Sequence, residues 1–453
     1  MNKRVDGITA TVRHNVEPMR VAWFTPLPPD PSGIAAYSQE VTPLLASRFG
    51  ALDLYADGPA QGFVWRHRRQ PYDLIVYQLG NSASHDFIWA YLFRYPGLLV
   101  LHDAQVHQAR ALWLLRRLEP RLDDYLAELG ANHPDAPGDL GWLFAAGLGG
   151  TLFRHWPLVS LVLRVSRLTA VHNTHLARAL AQAHPDAAIA AIEMGVADPL
   201  EAGNAVRVDA RAIRTRLGIP PDTCVIGAYG GITPEKRIPE LLKAVAAQPP
   251  AMPPMHVLLV GQRAPHYDVD ADVRTLGLEG RVHVAGYVPD AELPAWMAAA
   301  DVCCCLRWPS NGETSASWLR CLGAGRPTLV TALAQLRDVP LVPTGEDAAA
   351  SAERMPDVIG VAIDPLDEPR ELPRVLASLA ANPAARRTLG ASARAWWEAR
   401  HTLPRMADGY ERLIREAATR AAPACALPAH LVDDGTGTAR RILGEMGMGA
   451  LPW

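Results

Sequence analysis

The chain lacks any apolar run long enough to cross a bilayer. Its most apolar stretch, Leu140–Val165, is interrupted by Arg154, His155 and Pro157, short of the roughly twenty apolar residues that a spanning helix needs. It is expected to form core helices, the alternative being a surface that meets a lipid-linked acceptor. The opening residues, MNKRVDGITATVRHNVEPMR, have no apolar core of the kind a signal peptide carries and read as a disordered lead-in over 1–19. Cysteine is scarce, six in 453 residues, and no C-x-x-C pair occurs, which argues against a zinc site or a disulfide framework. Three of the six follow one another inside a single apolar run, where neighbours face opposite ways, so reduced thiols in a cytoplasmic protein are expected. An excess of charge is missing too. With a net charge of −3 and cations thinly spread, nothing in the bulk charge favours nucleic acid. No repeat recurs at a fixed period.

What is present is the composition of a globular protein, 49% hydrophobic and 20% charged. At 453 residues one core is not enough, and two domains with a tail are expected. Short apolar runs with the length of buried strands alternate with helical stretches. In the first half the strands are Arg20–Phe24, Asp73–Tyr77, Leu98–Leu101 and Thr169–His172. A helix is expected over Ile34–Arg48, and Ala104–Arg167 reads as long and helical. In the second half the strands are Cys224–Tyr229, His256–Val260, Val282–Ala285, Val302–Leu306, Thr328–Thr331 and Val358–Ile363. Helices are expected at Asp209–Leu217, Ile238–Ala246, Glu292–Ala300 (Asp290 as its cap), Arg370–Ala381, around Trp396, and at Met406–Thr419. This places a first domain at 20–199, a hinge at Leu200–Arg207 opening a second domain at 200–395, crossover helices at 396–420 and a tail of unassigned role at 421–453.

One stretch organises the rest. Asp301–Thr331 reads as strand, loop, helix and strand, with Pro309, Ser310, Asn311 and Gly312 making the loop and Gly325 and Pro327 ending the helix. A helix starting after Glu313 turns the amides of Thr314, Ser315 and Ala316 toward the carboxyl edge of the strands, where anions collect. Glu313 then either complements the helix dipole or accepts hydroxyl hydrogen bonds beside a bound phosphate. A second cluster follows Cys224–Tyr229: Gly230 and Gly231 let the chain turn, and Lys236 and Arg237 bring two cations to a helix start. They are either a solvated helix end or a diphosphate clamp, since lysine is a compact charge and arginine forks two oxygens. Gly33, in the proline-rich loop after the first strand, is an ordinary turn or a point where backbone approaches a phosphate. His102 and Asp103 close the carboxyl end of a strand, with His107 one turn on. Asp268, Asp270 and Asp272 alternate in a polar segment, and the solvated reading is preferred there over a metal site.

The stretch GETSASWLRCLGAGRPTLV resembles the signature helix of the retaining glycosyltransferases of the group 4 family, whose pattern is E-x7-E followed by Gly-[Lys/Arg]-Pro. Glu313 is the first Glu and Gly325–Arg326–Pro327 the terminator, while Cys321 stands where the second Glu, which usually holds the ribose, is expected. PPDPSGIAAYS resembles the family's first glycine loop. GGITPEKRI resembles G-R-x-x-x-E-K-G, with Lys236 in place, Gly231 where the Arg belongs, and Arg237 or Arg307 as its replacement. YPGLLVLHDAQVHQ resembles the acceptor-side half. The resemblance covers roughly Arg20–Arg415. It implies an α/β protein of the GT-B fold: two Rossmann-like domains facing across a cleft, with a C-terminal helix returning to the first. It also implies metal-independent, retaining transfer of a sugar from a nucleotide-diphosphate sugar to a glycan or lipid-linked acceptor, without a cofactor.

On that resemblance His102, Lys236 and Glu313 are catalytic. Gly33, Gly230, Arg237, Tyr287, Val288, Arg307, Thr314 and Ser315 bind the donor, Tyr287 and Val288 at the base. His172 is taken as a strand-end residue. The expected place is the cytoplasm, with peripheral contact at the inner face of the membrane if the acceptor is lipid-linked. Two other readings stay open on the same fold: a nucleotide-sugar epimerase or phosphorylase, and a module that binds nucleotide sugar without turnover.

Overall fold

The computed structural model describes residues 19–448 except Pro31, Arg117, Ala251, Asp434 and Gly435. The expected lead-in therefore lies outside the described residues, apart from Met19. Two six-stranded, all-parallel sheets form the frame. The first holds β1 (Arg20–Phe24), β2 (Ala51–Tyr55), β3 (Leu74–Leu79), β4 (Leu98–Leu101), β5 (Leu168–Val171) and β6 (Ile189–Ala191), in the order β2-β1-β3-β4-β5-β6. The second holds β7 (Cys224–Tyr229), β8 (Met255–Val260), β9 (Val282–Gly286), β10 (Val302–Cys305), β11 (Thr328–Thr331) and β12 (Gly360–Ile363), in the order β12-β11-β10-β7-β8-β9. Central strands such as LIVYQL of β3 and CVIGAY of β7 are buried along their whole length. That is why they read as unbroken apolar runs: helices cover both faces of a parallel sheet.

Strand order reverses between β1 and β3 in one sheet and between β7 and β10 in the other. Such a switch point leaves a crevice at the carboxyl ends of the strands. The loops after β7 and β10 carry Lys236 and Glu313, so the topology brings the two cation- and carboxylate-bearing segments to one edge.

The sheets are joined by the C-terminal helices. The Pro383–Arg400 helix packs on the Ala316–Gly323 helix, and the Leu403–Thr419 helix then crosses to the first sheet and to the Gly33–Ala46 helix. Met406, Tyr410, Leu413, Ile414 and Ala417 are all buried, the i, i+4, i+7, i+8 spacing of one apolar face. They complete a core with Trp23, Val76 and Leu98 of the first sheet. Tyr410 stands 5.0 Å from the Trp23 ring and its hydroxyl meets that of Tyr37 at 2.6 Å. Beyond it, Cys425, Leu427 and Leu431 of the tail lie against the first domain's other core, and His430 Nε2 contacts the buried Glu128 at 2.8 Å. No helix among the described residues is long and apolar enough to cross a membrane.

Several expected boundaries move. β2 and β6 had no counterpart in the sequence reading; both are edge strands, β2 half-exposed around Asp53 and β6 only three residues long. The Ala104–Arg167 region is helical as expected, as a set of short helices with a 3-10 turn at Gly150–His155, broken at the proline and glycine positions. The helix expected from Asp209 begins at Asn204, inside the stretch read as a hinge. Glu292, not Asp290, takes the position before the Leu293–Ala299 helix.

Candidate active site between the two sheets

The helix after β10 starts at Ala316, with Ser315 as its cap: the Ser315 hydroxyl accepts from the Trp318 amide at 3.3 Å. This corrects in part the expectation that the Thr314 and Ser315 amides open the helix. The amides without helical partners are those of the cap and the residues after it, Ser315, Ala316 and Ser317, so of the expected amides only that of Thr314 falls outside the helix start. Glu313 lies ahead of the helix and is held by its own loop. Its carboxylate accepts from the Asn311 amide at 2.7 Å, from the Ser310 hydroxyl at 3.1 Å and from the Arg307 guanidinium. Thr314 donates to the His172 carbonyl at 3.2 Å, Asn173 to the Gly312 carbonyl at 2.9 Å and the Ala104 amide to the Asn311 carbonyl at 3.2 Å. The loop after β10 thus rests on the carboxyl ends of β4 and β5, and the two sheets face each other there. An Arg320–Glu40 ion pair and an Arg394–Asp198 pair at 2.6 Å also join the second sheet's helices to first-domain and linker carboxylates.

Lys236 reaches the same edge from the loop after β7. Its ammonium donates to the Tyr229 carbonyl at 2.7 Å and borders a small cavity with Arg307, Ser315 and Ser317. Gly230 has φ +92°, and a Cβ there would stand 2.2 Å from the Lys236 nitrogen, so only glycine leaves room for the charge. Burial, with the Arg307 charge second, pulls the Lys236 pKa down to about 8. A cation held at such a cost beside free helix amides is poised for an anion.

Arg237 departs from the expected role. It sits in the left-handed region (φ 58°) and its guanidinium turns to Glu368 and Glu240. Glu368 is almost fully buried and takes the arginine as its counter-charge, so Arg307, not Arg237, is the second cation beside Lys236. Gly33 is the first helical residue after the Ser32 cap, and a Cβ there would touch nothing within 4 Å. Tyr287 and Val288 follow Gly286 at the end of β9, on the same edge as Gly230. Tyr287 is 71% exposed, and neither residue borders the cavities around Lys236 and Glu313.

From the first domain come two histidines. His102, at the end of β4, bonds Gln78 Oε1 through Nε2 at 2.8 Å and stands edge-on to Tyr37, 4.8 Å from the His172 ring. Burial first, and then the neighbouring His172 and His85, hold it neutral. His172 bonds the Ile192 carbonyl through Nδ1 at 3.1 Å and borders the larger cavity, about 920 Å³ with its open mouth, that Glu313 and Arg307 also line. It carries the same signal as His102, an apolar strand ending in histidine, and belongs beside it. His107 is turned into the core, bound to the Trp156 carbonyl at 2.6 Å and the Tyr125 hydroxyl at 2.8 Å.

Asp103 was noted in the sequence only as a strand end. Its carboxyl accepts from the Asn81 amide at 3.1 Å; burial raises its pKa, the nearby Glu313 charge adds to this, and the Asn81 bond and Arg307 oppose it. Asp268 caps its helix, Asp270 pairs with Arg263, and Asp272 accepts from Tyr267, so the three aspartates have separate partners.

With two cations, free amides and a bound carboxylate at one edge, the comparison with known proteins is informative. Residues 223–363 match the family model Glycosyl transferases group 1. This stretch is similar to that family. It spans all six strands of the second sheet, and Lys236, Arg307 and Glu313 lie inside it. A curated relative, the 2-deoxystreptamine glucosyltransferase of Streptomyces kanamyceticus, is 32% identical over 143 residues. That match covers 31% of this chain and 36% of the relative; the chain thus spans about a third of the relative's length. Beyond the matched stretch the likeness is one of fold. Anabaena HepE in complex with UDP covers 88% of this chain and 100% of its own, with TM-score 0.56 and 16% identity. Sucrose-phosphate synthase from Thermosynechococcus elongatus covers 88% and 98%, with TM-score 0.60 and 16% identity. The two Rossmann-like halves, with the matched stretch in the second, have the GT-B fold.

Proposed function

We propose that this chain is a retaining, metal-independent glycosyltransferase that moves a sugar from a nucleotide-diphosphate sugar to a glycan or lipid-linked acceptor. The observation that carries the reading is the meeting of Lys236, Arg307, the helix start at Ser315 and Ser317, and Glu313 on one edge of the matched stretch, facing His172, behind which His102 packs. In this reading Lys236, Arg307 and the amides absorb the charge that develops on the departing diphosphate. Glu313 shifts from its loop partners to hydroxyls of the donor sugar, and the first domain presents the acceptor. Closure of the cleft excludes water and favours transfer over hydrolysis. The cytoplasm, or its membrane surface for a lipid-linked acceptor, is the proposed place of work.

The test is a thermal-shift and turnover screen with UDP, GDP and ADP and their sugar conjugates, with chelator and without. UDP comes first because the HepE structure holds UDP. A selective rise in melting temperature with one diphosphate, transfer insensitive to chelator, and an anomeric configuration kept in the product are expected. Loss of transfer on chelation, or inversion, would overturn the mechanism; product from donor alone would point to an epimerase. Binding without transfer over a wide acceptor panel would favour a non-catalytic module. Cys321, fully buried at the position of the second Glu, is the feature that favours it.

A further inference from the structure

Three of the six cysteines converge beneath Lys236. Cys303 and Cys305 lie two apart on β10 and so share a face, whereas Cys304 turns to the opposite core with Ile226 and Leu329. Cys303 and Cys321 belong to the core on the other face, with Cys305 packed against it. Cys321, on the Ala316–Gly323 helix, packs in this same core, on the face that Cys303 and Cys305 share. All six cysteines are free.

The three differ in access. Cys303 and Cys321 are completely buried. Cys305 is half-buried and borders both the small cavity that holds Lys236 and the larger one lined by Glu313. Of the three, only Cys305 lines these cavities, beside Lys236 and Arg307, and Cys321 lies in the core against which it packs.

We infer that Cys305 and Cys321 are a peroxide-reactive thiol pair that closes to a disulfide between β10 and the Ala316–Gly323 helix. The Cys305 sulfur attacks one oxygen of hydrogen peroxide and the O–O bond breaks, giving a sulfenic acid and a hydroxide that leaves as water with the thiol proton. The Cys321 sulfur then attacks the sulfenic sulfur; the S–O bond breaks and the hydroxyl departs with the Cys321 proton as a second water. Two thiols lose two electrons and one peroxide becomes two waters. Cys303 has no opening to either cavity, so the first attack does not start there. The bond would fasten the helix whose free amides face the anion pocket to the strand beneath it.

The test treats the intact chain with a modest excess of hydrogen peroxide, blocks remaining thiols with N-ethylmaleimide and maps peptides without reduction. A Cys305–Cys321 cross-link is expected to form at least tenfold faster than modification of Cys224, Cys304 or Cys425 and to disappear with dithiothreitol. Cys305→Ser and Cys321→Ser should each abolish it and Cys304→Ser should leave it unchanged. Should Cys321→Ser fail to fold, Cys305→Ser, at a half-buried position, decides. Both thiols still labelled by maleimide, or Cys305 carried to sulfinic acid without a cross-link, would overturn the inference.

Discussion

Replacing Lys236 with methionine should make the protein more stable and unable to hold a nucleotide diphosphate. The ammonium is held at a pKa of about 8, by burial first and by Arg307 second, against about 10.4 for a free lysine. A depression of that size corresponds to roughly 3 kcal/mol at about 1.36 kcal/mol per unit. The sign follows from the direction of the shift. The unfolded chain binds the proton more tightly, so the penalty is fully present below pH 8. It fades as pH climbs from 8 toward the unfolded value. Methionine removes the charge and keeps most of the stem, but forfeits the bond to the Tyr229 carbonyl, which costs back about 1 kcal/mol. A net gain of about 1–2 kcal/mol at pH 7, shrinking to nothing or reversing near pH 10.5, is the outcome expected from urea unfolding at the two pH values. In the unmodified protein, calorimetry with UDP should give a Kd that is flat below pH 8 and rises about tenfold per unit above it, as the binding proton is lost. A Lys236→Met variant that is less stable at pH 7, or that binds UDP unchanged, would refute the placement of this charge in an anion pocket.

Four other changes test separate parts of the site. Glu313→Gln keeps the shape but weakens the Arg307 and Asn311 contacts; turnover should fall about 10²–10³-fold with stability lowered by about 1–3 kcal/mol, measured by steady-state assay and urea titration. Gly230→Ala places a methyl 2.2 Å from the Lys236 nitrogen at a φ of +92°. The flexible lysine must move, so diphosphate affinity should drop about tenfold or more while the left-handed backbone costs about 1–2 kcal/mol. Asp103→Asn should reduce turnover about tenfold to a hundredfold with UDP affinity unchanged, which titration calorimetry would show. Tyr37→Phe takes one hydroxyl from the buried Tyr37–Tyr410–Gln78 chain and should cost about 1–2 kcal/mol in thermal unfolding.

The second domain was nearly all legible in the sequence, because its strands are short, mainly apolar runs separated by turn- and helix-forming segments. The first domain was legible only at its centre: β2 and β6 are edge strands, where one exposed face or three residues leave too weak a pattern. Lys236, Glu313 and His102 could be singled out as candidates because each lies on the segment that leaves the carboxyl end of a buried strand. Partner choice could not be read locally. Arg237 turns to Glu368, 131 positions away in the chain, and nothing near Arg237 in the sequence announces a buried carboxylate waiting for it. His172 and Asp103 carried the same strand-end signal as His102; their proximity to Glu313 depends on how the two sheets face each other, which no single segment encodes.

The first sheet is finished by residues synthesised long after its own strands. Until the Leu403–Thr419 segment arrives, Trp23, Val76 and Leu98 are covered on that side only in part, by Tyr37, Val41 and Leu45 of the Gly33–Ala46 helix. A fragment that stops after β6 would carry this partly covered wall into solution and draw other chains to it. The stability of the first lobe is therefore tied to the crossover helix, and so to the second lobe from which that helix returns.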